Sequence, residues 1–285
     1  MRYAAMKPFA IWVLAGCLGA AVFASEQIPK QDLSVDQIVE KNIASRGGLD
    51  AWRKVQTMIW SGHVDSANAP AADLPFVLAM KRPNKTRFEV TVFNQKSVRV
   101  FDGKQGWKLG PNGMGSATPR PYSIDEVSSA RDEQVIDGLL IDHEAKGVSV
   151  TLEGTDQVGG RDAYRLAAKL PSGVTRHVWI DAQTFLDVKV DRQVRTPLGQ
   201  TVVVETSYSD FRSVEGLQIP LKIESGAAAS EKKDMLTIDK VSLNPPLDDG
   251  IFTRPASPQM RRKSVSIDAD ADASPALSGA GRPAP

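Results

Sequence analysis

Apolar residues recur along this chain at two spacings, and the spacing switches where glycine and proline punctuate the sequence. After Ser34, the residues Val35, Ile38, Val39 and Ile43 fall on one side at helical spacing, and Gly47-Gly48 end the run. Ser34-Val-Asp-Gln37 has the form of a capping box, in which the serine and glutamine side chains each accept from the other's backbone N–H. An amphipathic helix is therefore predicted to open the domain. A second capping box, Ser123-Ile-Asp-Glu126, follows Pro121, with Ile124, Val127, Val135 and Ile136 as apolar positions, and LLIDHEAKG adds a further turn or two. These two segments are predicted to be the only substantial helices.

The rest alternates with period two. Phe88, Val90 and Val92 share one face of KTRFEVTVF while Arg87, Glu89 and Thr91 share the other, and Val148, Val150 and Leu152 repeat the pattern. Leu186, Val188 and Val190 oppose Asp187, Lys189 and Asp191; Leu217, Ile219, Leu221 and Ile223 oppose Gln218, Lys222 and Glu224. Asp102-Gly103, Gly159-Gly160 and Pro171-Ser-Gly173 separate such runs as hairpin turns, which predicts an antiparallel sheet of about ten or eleven strands. A sheet that wide does not stay flat. The predicted fold is mainly β: a large antiparallel sheet curled into a barrel or half-barrel, its concave side filled by the two helices.

Both ends of the chain break these patterns. Arg2 and Lys7 precede the uncharged run Phe9 to Ala24, which reads as an export signal over residues 1–24 and is short for a spanning helix. Val22-Phe23-Ala24 offers an ordinary cleavage site before Ser25. Leu14-Ala15-Gly16-Cys17 has the form of a bacterial lipobox, in which Cys17 becomes the lipidated terminus. The two readings differ in outcome: a chain that diffuses without any cysteine, or one tethered to the envelope. Residues 256–285 are rich in Ala, Ser, Pro, Gly and charge and are predicted to be disordered. Asp268, Asp270 and Asp272 do not make a calcium loop, because Ala273 stands where the turn needs glycine and Gly279 where a glutamate belongs. Arg261 to Lys263 read as a solvated patch. Between the ends, residues 25–255 are predicted to form one domain.

Charge and chemistry narrow the function. With 35 Lys+Arg against 34 Asp+Glu, the net charge of +1 gives no reason to expect nucleic acid as a partner. The three histidines, His63, His143 and His177, lie in no zinc-binding spacing, and His177 reads as a surface imidazole. Gly110, Gly113 and Gly115 lack the helix that a phosphate cradle needs and read as turn formers. Trp52, Trp60, Trp107 and Trp179 read as core and sheet packing. No cofactor, metal or catalytic constellation is expected, and the chain is not expected to be an enzyme.

Three stretches carry a family resemblance: Gly47-Gly48-Leu49-Asp50-Ala51-Trp52, HVWIDAQTFLDVKV from 177 to 190, and YSDFRSVEGLQIPLKIES from 208 to 225. Together with PFVLAMKRPNKTRFEV and FDGKQGWKL, the chain from Ser34 to Pro255 resembles the periplasmic lipoprotein-carrier superfamily, the LolA-like outer-membrane lipoprotein-sorting proteins. The resemblance implies an unclosed barrel whose apolar concave face, lidded by helices, holds acyl chains in the periplasm. Acyl lipid or lipoprotein is then the expected cargo, with an envelope membrane protein as donor or acceptor. Candidate lining residues are Phe76, Leu78, Met80, Phe88, Val90, Val178 and Ile180, with Ile124 and Val127 from the lid helix. Two other classes stay open: an envelope interaction or sensor module tethered through Cys17, and a hydrolase with an acidic site that no motif marks.

Overall fold

A computed structural model describes residues 33–66, 69, 71–110, 118–133, 135–196 and 199–256. The export signal, Cys17, Gly113, Gly115, the Arg261 to Lys263 run and the aspartates of the tail lie outside the described residues.

The period-two runs become strands β1 (Thr57–Asp65), β2 (Leu74–Lys81), β3 (Lys85–Val92), β4 (Gln95–Phe101), β5 (Gly106–Leu109) and the two-residue β6 (Arg120–Pro121). The second half supplies β7 (Ser149–Val158), β8 (Arg161–Lys169), β9 (Thr175–Asp181), β10 (Asp187–Arg195), β11 (Thr201–Val214), β12 (Leu217–Ala227) and β13 (Asp234–Leu243). All thirteen belong to one antiparallel sheet in the order β6-β5-β4-β3-β2-β1-β13-β12-β11-β10-β9-β8-β7. Two meanders are thus joined along β1 and β13. The outermost strands β6 and β7 do not pair, so the sheet is an unclosed half-barrel. It has more strands than the ten or eleven expected, because short pieces such as β5 and β6 carry too few alternations to register as strands in sequence.

Among the described residues three α-helices accompany it: α1 (Val35–Ser45), α2 (Leu49–Lys54) and α3 (Ile124–Asp132). Both capping boxes form. The Ser34 hydroxyl accepts from the Gln37 amide while the Gln37 side chain accepts from the Ser34 amide, and Ser123 and Glu126 do the same at α3. Helix α3 is shorter than the spacing predicts. It ends at Asp132, and Val135, Ile136 and the LLIDHEAKG stretch form turns instead, with a left-handed Asp142 at φ 54°.

Two close approaches explain specific glycines. Gly47 has φ +111°, and a Cβ there would lie 2.5 Å from the Gly216 carbonyl oxygen, so glycine lets the turn after α1 press against the start of β12. A Cβ on Gly62 would lie 1.9 Å from the Thr237 carbonyl oxygen, at the bulge where the β1–β13 register shifts.

The core lies mostly on the inner face. Trp52 of α2, with Ile136 and Ile141 of the turn segment, packs on Met58, Met80, Leu217 and Ile219 of the sheet. On the outer face the chain after β13 returns as a strap. A 3-10 turn at Asp249–Phe252 buries Phe252 completely against Ala79 and Val100, with Leu247, Ile251, Ile59 and Trp107 around it. The strap is pinned by polar contacts as well: Lys81 and Lys85 reach the Asp249 carboxylate at 2.8 and 2.9 Å, and Arg87 donates to the Ile251 carbonyl at 2.8 Å.

Candidate functional site

The register of β1, β2 and β3 decides which side chains meet on the inner face. Phe76 stands opposite Val90, Leu78 opposite Phe88, and Met80 opposite Thr86; on the other side Trp60 faces Leu78 and Met58 faces Met80. Five of the residues singled out from the sequence are therefore brought together, and the Phe76 and Phe88 rings lie 5.7 Å apart. Leu221, Leu236 and Val241 from β12 and β13 continue the same apolar surface. Burial is uneven across it. Phe76 and Met80 are each 2% exposed, whereas Leu78, Phe88 and Val90 are only half-buried, and no residue of β3 is fully buried. An apolar surface that the protein itself covers only in part is what an acyl ligand needs.

Val178 and Ile180 lie farther round the sheet on β9, opposite Leu166 and Tyr164, and both are buried. Of the two positions from the lid helix, Val127 is half-buried and Ile124 is 88% exposed, so Ile124 faces solvent and does not join the others. The helix α3 is held by charge. Glu126 receives Lys108 at 2.8 Å and Arg99 at 3.1 Å. Burial pushes its carboxyl up, but those hydrogen bonds and the one from the Ser123 amide outweigh burial and hold it down to about 2.

The rest of the lid is fastened by a buried polar network that the apolar pattern does not show. Asp137 is 3% exposed and takes Arg82 at 2.7 Å and Lys146 at 2.6 Å. Arg82, which precedes Pro83 at the end of β2, also donates to the Val55 and Trp52 carbonyls at the end of α2. Arg46, at the end of α1, donates to the Asp137 carbonyl at 2.8 Å, meets Asp187 at 3.2 Å and lies over the Trp52 ring. Asn42 of α1 adds a 3.0 Å hydrogen bond to Asp187. Burial drives the Lys146 amine below its usual range, and Asp137 opposes that shift.

Asp187 is on the inner face because β10 carries a bulge. It stands opposite Ile180, the register shifts, and Lys189 then stands opposite Trp179. The simple alternation predicts Val188 in phase with Val190. Instead Val188 packs outside with Trp179 and Ala163, while Val190 stays inside opposite Val178. Beside Asp187 a cavity of about 90 Å³ opens between the turn segment and β9, β10 and β11, lined by Glu133, Leu139, Leu140, Arg176, Val178, Val190 and Tyr208. Sequence reasoning passed over Arg176 and Tyr208. A signal for the first was present: Arg176 is in phase with Val178 and Ile180, a charge at an apolar register position.

His177 and Trp179 belong to the outer face. The His177 ring meets Asp191 at 2.7 Å and Glu153 at 3.6 Å, half-buried on the side of the sheet away from the apolar lining. Among the described residues no group of three or more His, Cys, Asp or Glu could hold a metal ion. No helix among them is long and apolar enough to cross a membrane.

No protein-family model matches the chain, and no curated protein matches it by sequence. Solved structures do match. A LolA superfamily protein from Nitrosomonas europaea superposes with a TM-score of 0.51 at 16% identity, over 78% of this chain and 98% of its own. A DUF1329 family protein from Desulfovibrio piger superposes with a TM-score of 0.50 at 13% identity, over 77% of this chain and 97% of its own. The fold is LolA-like.

Proposed function

We propose that this chain is a binding and carrier protein for acyl lipids, or for the acyl chains of lipoproteins, in the bacterial envelope. The observation that carries the proposal is the half-buried apolar surface of Leu78, Phe88 and Val90 on the inner face of an open sheet, continued by Leu221 and Leu236. The buried neighbours Phe76 and Met80 form the floor on which that surface is built, and Val178 and Ile180 extend the apolar inner face farther round the sheet. The LolA-like fold supports the same reading, since the resemblance implies acyl carriage on this face.

The physical need can be sized. At about 0.8 kcal/mol per methylene, a sixteen-carbon chain exposed to water costs about 12 kcal/mol, so such chains cross an aqueous compartment only on a dry surface. A carrier also has to release. An apolar lining without specific anchors along its length allows both loading and unloading, and the proposal involves no bond-making step.

In this proposal residues 1–24 direct export, and the cargo passes to or from a membrane-protein partner. Mass spectrometry of protein purified from the envelope without detergent, intact and after organic extraction, tests it. Co-purifying acyl lipid with an amino terminus at Ser25 supports a diffusible carrier. A terminus at diacylated Cys17 without bound lipid would replace it with a tethered interaction module.

A further inference from the structure

The 90 Å³ cavity beside Asp187 is unlike the apolar surface around it. Arg176 is 6% exposed, yet among the described residues its side chain makes one hydrogen bond, from Nη1 to Glu133 at 3.3 Å, and its buried Nε has no partner. A guanidinium largely taken out of water with a buried donor left unpaired is costly. Arg192 stands beside it. Each arginine lies two residues beyond the Val178–Val190 pair on its strand, which sets two like charges side by side across the sheet. Glu133, with Arg192 at 3.0 Å, is the carboxylate they share.

The charges are thus unbalanced by one. Asp187 is matched by Arg46 and hydrogen-bonded by Asn42, so it does not neutralise the arginine pair. Tyr208 adds a donor. It lines the same cavity, and no hydrogen bond to its hydroxyl is formed among the described residues. Burial, with Asp187 and Glu133 nearby, raises the phenol above its ordinary range and keeps the proton on. Leu139, Leu140, Val178 and Val190 complete the walls, and the polar lining is Arg176 and Tyr208 together with Glu133 and Asp187, whose carboxylates are already engaged by Arg192 and Arg46.

We infer that this cavity receives the head of the carried amphiphile, a single oxyanion such as a fatty carboxylate, with Arg176 and Tyr208 as its hydrogen-bond donors and the excess arginine charge as its counter-charge. The inference rests on the carrier reading and sharpens it: the cargo is an anionic acyl lipid, held at its head by these groups and along its chain by the apolar inner face. The cavity, about 90 Å³, matches a carboxylate or one phosphate in size.

The test is a fluorescence titration of the delipidated, exported-length protein with cis-parinaric acid and, separately, with its methyl ester, whose chain is identical and whose head carries no charge. The acid is expected to bind at least tenfold more tightly than the ester. Tyr208→Phe, a substitution that removes only the hydroxyl, is expected to weaken the acid about tenfold more than the ester, and Arg176→Gln at least as much. Equal affinity for acid and ester, or an unchanged ratio in Tyr208→Phe, would overturn the head-group assignment and leave the carrier reading standing. Binding of neither ligand would overturn both. Inorganic phosphate is expected to displace neither probe; displacement of the acid by phosphate alone would show a site for a free anion and overturn the amphiphile assignment.

Discussion

Gly62 shows how closely single residues are constrained in this sheet. Its Cα passes so near the Thr237 carbonyl that Gly62→Ala forces backbone to move, and a loss of about 2 kcal/mol or more is expected in urea unfolding. A variant as stable as the parent would show that the β1–β13 bulge relaxes freely. Asp137 is constrained by charge. Asp137→Asn leaves Lys146 and Arg82 facing each other without their shared carboxylate, and is expected to cost about 3 kcal/mol in the same measurement. Neither role is legible in sequence. Gly62 sits in the middle of an alternating run, where only the partner strand reveals the close approach, and Asp137 gathers partners from β2 and from the turn after it. What the sequence does display at this scale is the local chemistry: Ser34 with Gln37, and Ser123 with Glu126, are capping pairs that need only three residues of context.

The elements divide according to how far their instructions reach along the chain. Strands β2, β3 and β12 keep strict alternation, and their inward residues follow from the pattern. In β10 the bulge reverses the phase between Asp187 and Lys189, so a rule of two places Val188 on the wrong side. Helix α3 depends on salt links. The depressed Glu126 carboxyl contributes stability that is fully present above its ordinary value of 4.5 and is lost as pH falls toward about 2. Thermal midpoints of the parent are therefore expected to fall more steeply between those pH values than those of Glu126→Gln; parallel slopes would show that α3 is held by something else. The strap on the outer face rests on Phe252, and Phe252→Ala is expected to cost about 3 to 4 kcal/mol in urea unfolding, because the ring is fully buried against Ala79 and Val100 of the sheet and its loss leaves a cavity there.

Across the whole molecule, alternation and turn spacing are enough to read a wide antiparallel sheet with helices on one face. The sequence pattern picks out the inward residues of β2 and β3 that the fold brings together, because the two strands are adjacent in the chain and their pairing is a simple hairpin. The head cavity escaped, because it collects residues from the turn segment, β9, β10 and β11 and depends on a bulge. Phe88→Asp tests the lining at this scale: half-buried Phe88 tolerates a polar replacement in the fold, while lipid affinity is expected to drop at least tenfold in a binding titration. Unchanged affinity in the folded variant would remove Phe88 from the site. One topological fact governs how such a molecule can move. Strands β6 and β7 are neighbours in sequence and opposite rims of the sheet in space, so residues 122–148, which form the lid, are also the tether between the rims. In the proposed carrier this segment would act as a drawstring. Spreading the rims to admit a bulkier guest has to pull slack from α3 and the turns after it, so the length of chain between Pro121 and Ser149 sets a ceiling on how wide the mouth can gape.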